Sequence, residues 1–180
     1  MIKLSILILT IPAREHVLAQ LLHRLRPQIE GKPVEVLLNR HPTKTIGRKR
    51  NALLRAAKGD YVVFIDDDDQ VSPSYVDRIL EAVETSPDCV GISGTMFSNG
   101  KNERKWHISM EHKAWHEKNG VYYRGPNHIS PVKRDIALQV MFPEINHGED
   151  AEFSRRILPL LKTEVKIPGV LYVYRYSNKK

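Results

Sequence analysis

The sequence predicts an α/β fold, a mostly parallel sheet flanked by helices with a smaller mixed part behind it. Two observations carry that prediction. Over the first 94 residues, four short apolar runs rich in strand-forming residues alternate with three segments whose apolar residues recur at helical spacing. After Thr95 the alternation gives way to short strands and an Asn-Gly hairpin signal at Asn99-Gly100.

In order, residues 3–9 read as a buried strand ended by a turn at Pro12. Residues 14–25 place Val17, Leu18, Leu21, Leu22 and Leu25 on one helical face, and Pro27 is expected to stop the helix. Residues 33–38 form a second strand. Residues 46–58 form a second helix, with Leu53, Leu54 and Ala57 inward and Gly59 closing it. Residues 61–65 are the third strand. Ser72 reads as the cap, and Pro73 as the first position, of a helix reaching Val83. Residues 88–94 are the fourth strand. Beyond them the pattern predicts a short helix over 112–118 and a strand at 121–123. Helices follow over 131–140 and 149–158, then strands at 165–167 and 170–174 and a frayed end at 177–180. With no repeat and no linker, the whole of 1–180 reads as one domain.

Composition sets outer limits. The net charge of +7 and the pI near 9.5 suit a polyanionic partner: nucleic acid, an anionic membrane surface or nucleotide phosphates. A lone cysteine, Cys89, excludes an internal disulfide and a cysteine zinc site, and fits a reducing cytoplasm. No apolar run approaches the ~20 residues of a membrane span, so membrane insertion is not expected. The opening MIKLSILILTIP lacks the cleavage site of a signal peptide.

Against that positive charge, YVVFIDDDDQVSP (residues 61–73) runs a strand into four consecutive aspartates. Two carboxylates ~5 Å apart repel by roughly 3 kcal/mol at an effective dielectric of ~20. Hard divalent cations take carboxylate oxygens, so the run points to a metal, at the strand end where open α/β sheets bind ligands.

Two further segments flank the run in sequence: Gly47-Arg-Lys-Arg-Asn51 opens a helix before the strand, and His147-Gly-Glu-Asp150 opens a later one. The stretch RNALLRAAKGDY (residues 50–61), then FIDDDD, then GEDAEFSRR resembles the family-2 glycosyltransferases in order and spacing, from Leu4 to about Arg156. The resemblance implies the GT-A (Rossmann-like) fold, with a nucleotide-sugar half at 1–94 and an acceptor and catalytic-base half at 95–180. Asp66 and Asp68 match the family's Asp-x-Asp pair, one facing the ribose and one a Mn²⁺ or Mg²⁺ ion on the diphosphate; Asp67, between them, is a further expected contact to the nucleotide-sugar, and Asp69 is a second candidate metal ligand. Arg50 and Asn51 match the donor-contacting pair, and Arg48 adds charge near the phosphates. Thr10 and Pro12 lie where the family's first loop meets the nucleobase. The uracil-contacting Asp-Asp-Gly-Ser run is replaced here by Leu38-Asn-Arg-His41, with Asn39 as the substitute. Asp150 matches the catalytic base.

The implied reaction is a single in-line displacement that inverts the anomeric carbon. A carboxylate-held cation offsets charge on the departing nucleoside diphosphate, and Asp150 takes the acceptor's proton. A UDP-sugar such as UDP-glucose is the expected donor. Trp106, His128, Arg134, His147 and Glu149 are the expected acceptor contacts. The combination of IGRKRN, FIDDDD, PNHISPVKR and GED resembles compact bacteriophage members of the family. That resemblance implies double-stranded DNA with hydroxymethylated pyrimidines as one acceptor; a surface polysaccharide, a lipopolysaccharide or a protein is the other. A dehalogenase-type phosphatase would place its Asp-x-Asp on the first strand, whereas two strands precede it here. A nucleotidyltransferase shares the sheet and the metal aspartates, and a non-catalytic nucleic-acid module leaves the aspartates unexplained.

Overall fold

The computed structural model describes residues 1–98 and 101–176. Strand β1 (Leu4–Leu9) is the middle of a parallel trio, with β2 (Val34–Asn39) on one side and β3 (Tyr61–Phe64) on the other. Alternation along β1 sends Ile6 and Ile8 into one apolar layer and Leu7 into the other. Helix α1 (Glu15–Ile29) fills the first layer with Leu18, Leu21 and Leu25, whereas α2 (Ile46–Ala56) fills the second with Leu53 and Leu54. Both helices therefore cover the same three strands from opposite faces.

After β3 come the two-residue β4 (Gln70–Val71), α3 (Tyr75–Ala82) and the long β5 (Cys89–Ser98). β6 (Lys101–Ile108) runs antiparallel to β5, β8 (Val121–Arg124) pairs with β6, and β7 (His116–Lys118) forms the far edge. β9 (Val132–Lys133) joins β3 to the start of β5. α4 (Arg134–Val140) and α5 (Glu149–Ile157) precede β10 (Glu164–Tyr176), which lies parallel to β5 and antiparallel to β4.

Five sequence expectations are corrected. The first helix does not stop at Pro27 but continues to Ile29. Gln28 holds that last turn: its amide donates to the carbonyls of Arg24 and Ser72, and its Oε1 accepts from the Val76 amide. The same contact satisfies the start of α3, which begins at Tyr75 rather than Pro73 and receives no side-chain cap from its own segment. The helix expected over 112–118 is a turn followed by β7. Asn119 and Gly120 both take positive φ, the two-residue turn that matches strand twist, and so close a β7–β8 hairpin. The segment at 131–133 is strand β9 before the helix starts at Arg134, because Pro131 O and Val132 are taken up by β5. The two terminal strands are one bulged strand, with its register shifts around Gly169 at φ 78°. The Asn99-Gly100 turn and the 177–180 end lie outside the described residues.

Candidate active site

β3 is buried along its whole length, and Ile65 extends it by donating to Leu7 O. The four aspartates beyond it are chemically identical, yet the fold sends them to different partners. Asp69 turns inward, 3% exposed. Its Oδ2 accepts from the Tyr172 hydroxyl at 2.7 Å and its Oδ1 from the Arg175 amide at 2.8 Å. Burial, then the Asp66 charge, pushes its carboxyl up to about 8 despite those two donors. Asp67 and Asp68 face the other way, towards Arg14, whose Nη2 lies 2.6 Å from Asp67 Oδ1 and 2.7 Å from Asp68 Oδ2. Burial raises the Asp67 carboxyl, with Thr10 and Arg14 opposing. The buried Lys49 ammonium is lowered by desolvation, with Asp67 working against that shift.

Asp66 faces a second wall, built by α2, α5 and the loop before β9. Arg50 Nη2 approaches Asp66 Oδ1 at 3.6 Å while its Nε lies 3.5 Å from Glu149 Oε1. The guanidinium sits 5.0 Å from the Phe64 ring centroid and 5.5 Å from that of Phe142. His128 spans the gap, with Nε2 3.4 Å from Asp66 Oδ2 and Nδ1 3.8 Å from Asp150 Oδ2. Burial alone would raise the Asp66 carboxyl, but His128, then Arg50 and Arg14, hold it well below the usual carboxylate range.

Gly47 lets this wall close. A Cβ there would lie 1.8 Å from Pro143 O, so only glycine lets α2 seat against the segment leading into α5. The Gly47 amide donates to Ile145 O, and Asn146 Oδ1 accepts from the Ile46 amide. The α2 N-terminus and the Glu149-Asp150 pair are thereby brought to one place.

Other expected residues stand at varying distance from this centre. Thr10 is buried, and its amide donates to Asn39 O, so the ends of β1 and β2 adjoin; Pro12 opens an exposed 3-10 turn, Pro12–Arg14, beside them. Asn39 Oδ1 accepts from the His41 amide. Arg48 is exposed on the first turn of α2, and His147 is exposed just before α5. Asn51 spends its amide on the backbone of Phe142, donating at 2.8 Å and accepting at 2.7 Å, and so ties α2 to the end of α4.

Two residues are not brought to the site. Trp106 is buried in the core against Tyr172, its ring passing over Gly94, where any Cβ would strike it. The Arg134 amide bonds Asp60 O at the amino end of β3. Six residues of extended chain, roughly 20 Å, separate that point from Asp66. Sequence reading missed Arg14, which it took for one more helix residue; its signal was a lone cation just past a strand's carboxyl end.

Among the described residues, eight buried side-chain polar atoms lack a hydrogen-bond partner, and five belong here: Arg14 Nε, Arg50 Nε and Nη1, Asp67 Oδ2 and His128 Nδ1. Such orphans are rare in folded proteins, and each calls for a partner such as water, an ion or a ligand. No three His, Cys, Asp or Glu converge as a preformed metal cage among the described residues. Cations of the Mg²⁺ class need only one or two carboxylates beside substrate phosphates, and half-exposed Asp68 with the unpartnered Asp67 Oδ2 fits that use. Asp69, with both oxygens occupied, fits it less well.

The family model described as glycosyl transferase family 2 matches residues 16–143. The succinoglycan biosynthesis protein ExoM of Rhizobium meliloti (strain 1021) is 29% identical over 86 residues, 48% of this chain and 27% of that protein. The structure of S. aureus TarS 1–349 in complex with UDP-GlcNAc superposes with a TM-score of 0.71 at 14% identity, covering 99% of this chain and 60% of that one. Its complex with UDP gives 0.71 at 17% identity, over 98% and 61%. The chain thus spans less than two thirds of the length of each of these proteins, and at such identities the structures show a shared GT-A fold.

Proposed function

The chain belongs to glycosyl transferase family 2, and from that premise we propose that it moves a sugar from a nucleotide diphosphosugar, in the first instance a UDP-sugar, to an acceptor hydroxyl. The observation that carries this reading is the cluster of unpartnered polar atoms where the donor-side aspartates meet Asp150 across one imidazole.

In this reading Asp66 faces the ribose and Asp68, with Asp67, holds a divalent cation whose chemistry is to offset charge on the diphosphate leaving group. Arg50 Nη1 is buried without a partner, and in this reading the guanidinium takes a phosphate oxygen. Asp150, at the start of α5, removes the acceptor's proton. His128 lies between the two carboxylates, with its unpartnered Nδ1 on the Asp150 side. Glu149 holds Arg50 from behind and is buried, so it acts on the guanidinium rather than on the acceptor.

A glycan is the favoured acceptor class, in keeping with the succinoglycan biosynthesis for which ExoM is named. Duplex DNA draws no comparable support, since Trp106 lies in the core and Arg134 at the far end of the sheet. No helix of the described residues is long and apolar enough to cross a membrane.

The test is nucleoside diphosphate release from a panel including UDP-glucose and UDP-GlcNAc, with Mn²⁺ and candidate oligosaccharides. Asp150→Asn should lower kcat about 10²–10⁴-fold and leave UDP affinity in place. Release of inorganic phosphate or pyrophosphate instead would overturn the reading.

A further inference from the structure

We propose that Arg14 is an exchangeable counter-cation, pairing with Asp67 and Asp68 in the free protein and moving to the donor's diphosphate when a divalent cation takes those carboxylates. This rests on the transferase reading above and adds a residue and a step to it.

The geometry is that of a temporary partner. Arg14 engages both aspartates through a single nitrogen, Nη2. Its Nε is buried without a partner, so the planar fork that suits bidentate carboxylate or phosphate binding is only partly used. The side chain stays 40% exposed, leaving room to swing. Its backbone does not need to move: the Arg14 amide donates to Ile11 O, closing the short turn before α1.

Electrostatics supplies the drive. A cation on Asp68 and the free Oδ2 of Asp67 would compete with the guanidinium for the same two carboxylates, and two positive charges a few ångströms apart repel by several kcal/mol at an effective dielectric of ~20. Arg14 must then find another anion. The diphosphate brought with the cation is the nearest one, and its oxygens match the unused fork. Lys49 stays behind Asp67 and Arg50 is held against Glu149, so neither is as free to make the exchange.

A fixed clamp predicts something different: losing Arg14 would still free the two carboxylates for a cation, but would leave UDP binding with Mn²⁺ unchanged. The experiment uses the full chain and two variants, Arg14→Met and Arg14→Lys. Mn²⁺ binding without nucleotide is followed by electron paramagnetic resonance, and UDP binding with Mn²⁺ by calorimetry. Arg14→Met should bind Mn²⁺ alone about tenfold more tightly and UDP with Mn²⁺ about tenfold more weakly, the scale of one charged hydrogen bond. Arg14→Lys keeps the charge but not the fork. It should bind Mn²⁺ like the parent and UDP severalfold more weakly, and it decides the matter if Arg14→Met does not fold. An unchanged UDP affinity with Mn²⁺ in the variants, with the parent binding both, overturns the exchange and leaves the transferase reading intact. A parent chain that binds neither overturns both.

Discussion

At the amino end of the central sheet, Lys3 pairs with Asp60 at 2.8 Å and Lys133 with Asp88 at 3.0 Å. At the carboxyl end, Asp66, Asp67, Asp68, Asp69, Glu149 and Asp150 share two guanidiniums, one imidazole and a recessed ammonium. The amino-end pairs are one cation to one anion, both of them partly open to water. The carboxyl end is crowded, partly dry and short of positive charge, and it keeps the unpartnered atoms. A set of charges that only holds a fold together has no reason to leave such a surplus, because each buried unpaired group costs stability. In the proposed reading a divalent cation would offset that surplus, and the diphosphate would take the unpartnered guanidinium N–H groups.

Breaking the contrast at its buried end should have the largest effect. Arg50→Met leaves Glu149 without its cation in a site where both side chains are nearly sealed, and should cost about 3–5 kcal/mol in urea unfolding. Adding Glu149→Gln should recover part of that loss, and a cost below about 1 kcal/mol would make the two ends alike.

The intermediate effect concerns pH. Asp69 has its carboxyl raised to about 8 in the folded protein against an unfolded value near 4, so the folded state holds the proton longer. Its contribution is therefore fully present below pH 4 and is lost as pH rises towards 8, at a slope of at most about 1.4 kcal/mol per pH unit. Asp69→Asn should be free of that slope. Urea midpoints of parent and variant measured at pH 5 and pH 9 should diverge, the parent falling behind at the higher pH. Parallel behaviour would mean that Asp69 ionises as readily as an exposed aspartate.

The smallest effects belong to the amino end. Lys133→Met should cost under about 1 kcal/mol, as partly exposed pairs do, and neither it nor Arg134→Ala should change UDP release. A drop in release with Arg134→Ala would bring that residue into the site and erase the contrast between the two ends.

Much of this was legible from local pattern. The alternating strands and helices of the first half, the aspartates at the end of β3 and the Glu149-Asp150 start of α5 follow from spacing and turn chemistry that depend on near neighbours. Even the β7–β8 hairpin is encoded locally in Asn119-Gly120, although residues 112–118 read as a short helix. In the structure His116 stacks on Tyr123 across the strands, with centroids 5.1 Å apart.

The sequence by itself thus determined the fold class, the parallel first half and the place along the chain where acidic residues gather. It did not determine which aspartate does what. Four identical side chains in a row carry no local information about their direction. Asp69 is drawn inward by Tyr172 and Arg175, more than 100 residues away, while Asp67 and Asp68 are met by Arg14 from the turn after β1. In the same way Gly94, which leaves room for the ring, lets Trp106 pack into the core, and the antiparallel pairing of β9 with β3 carries Arg134 to the far end. Each of these outcomes depends on partners remote in sequence, and only the packed tertiary structure brings those partners within reach.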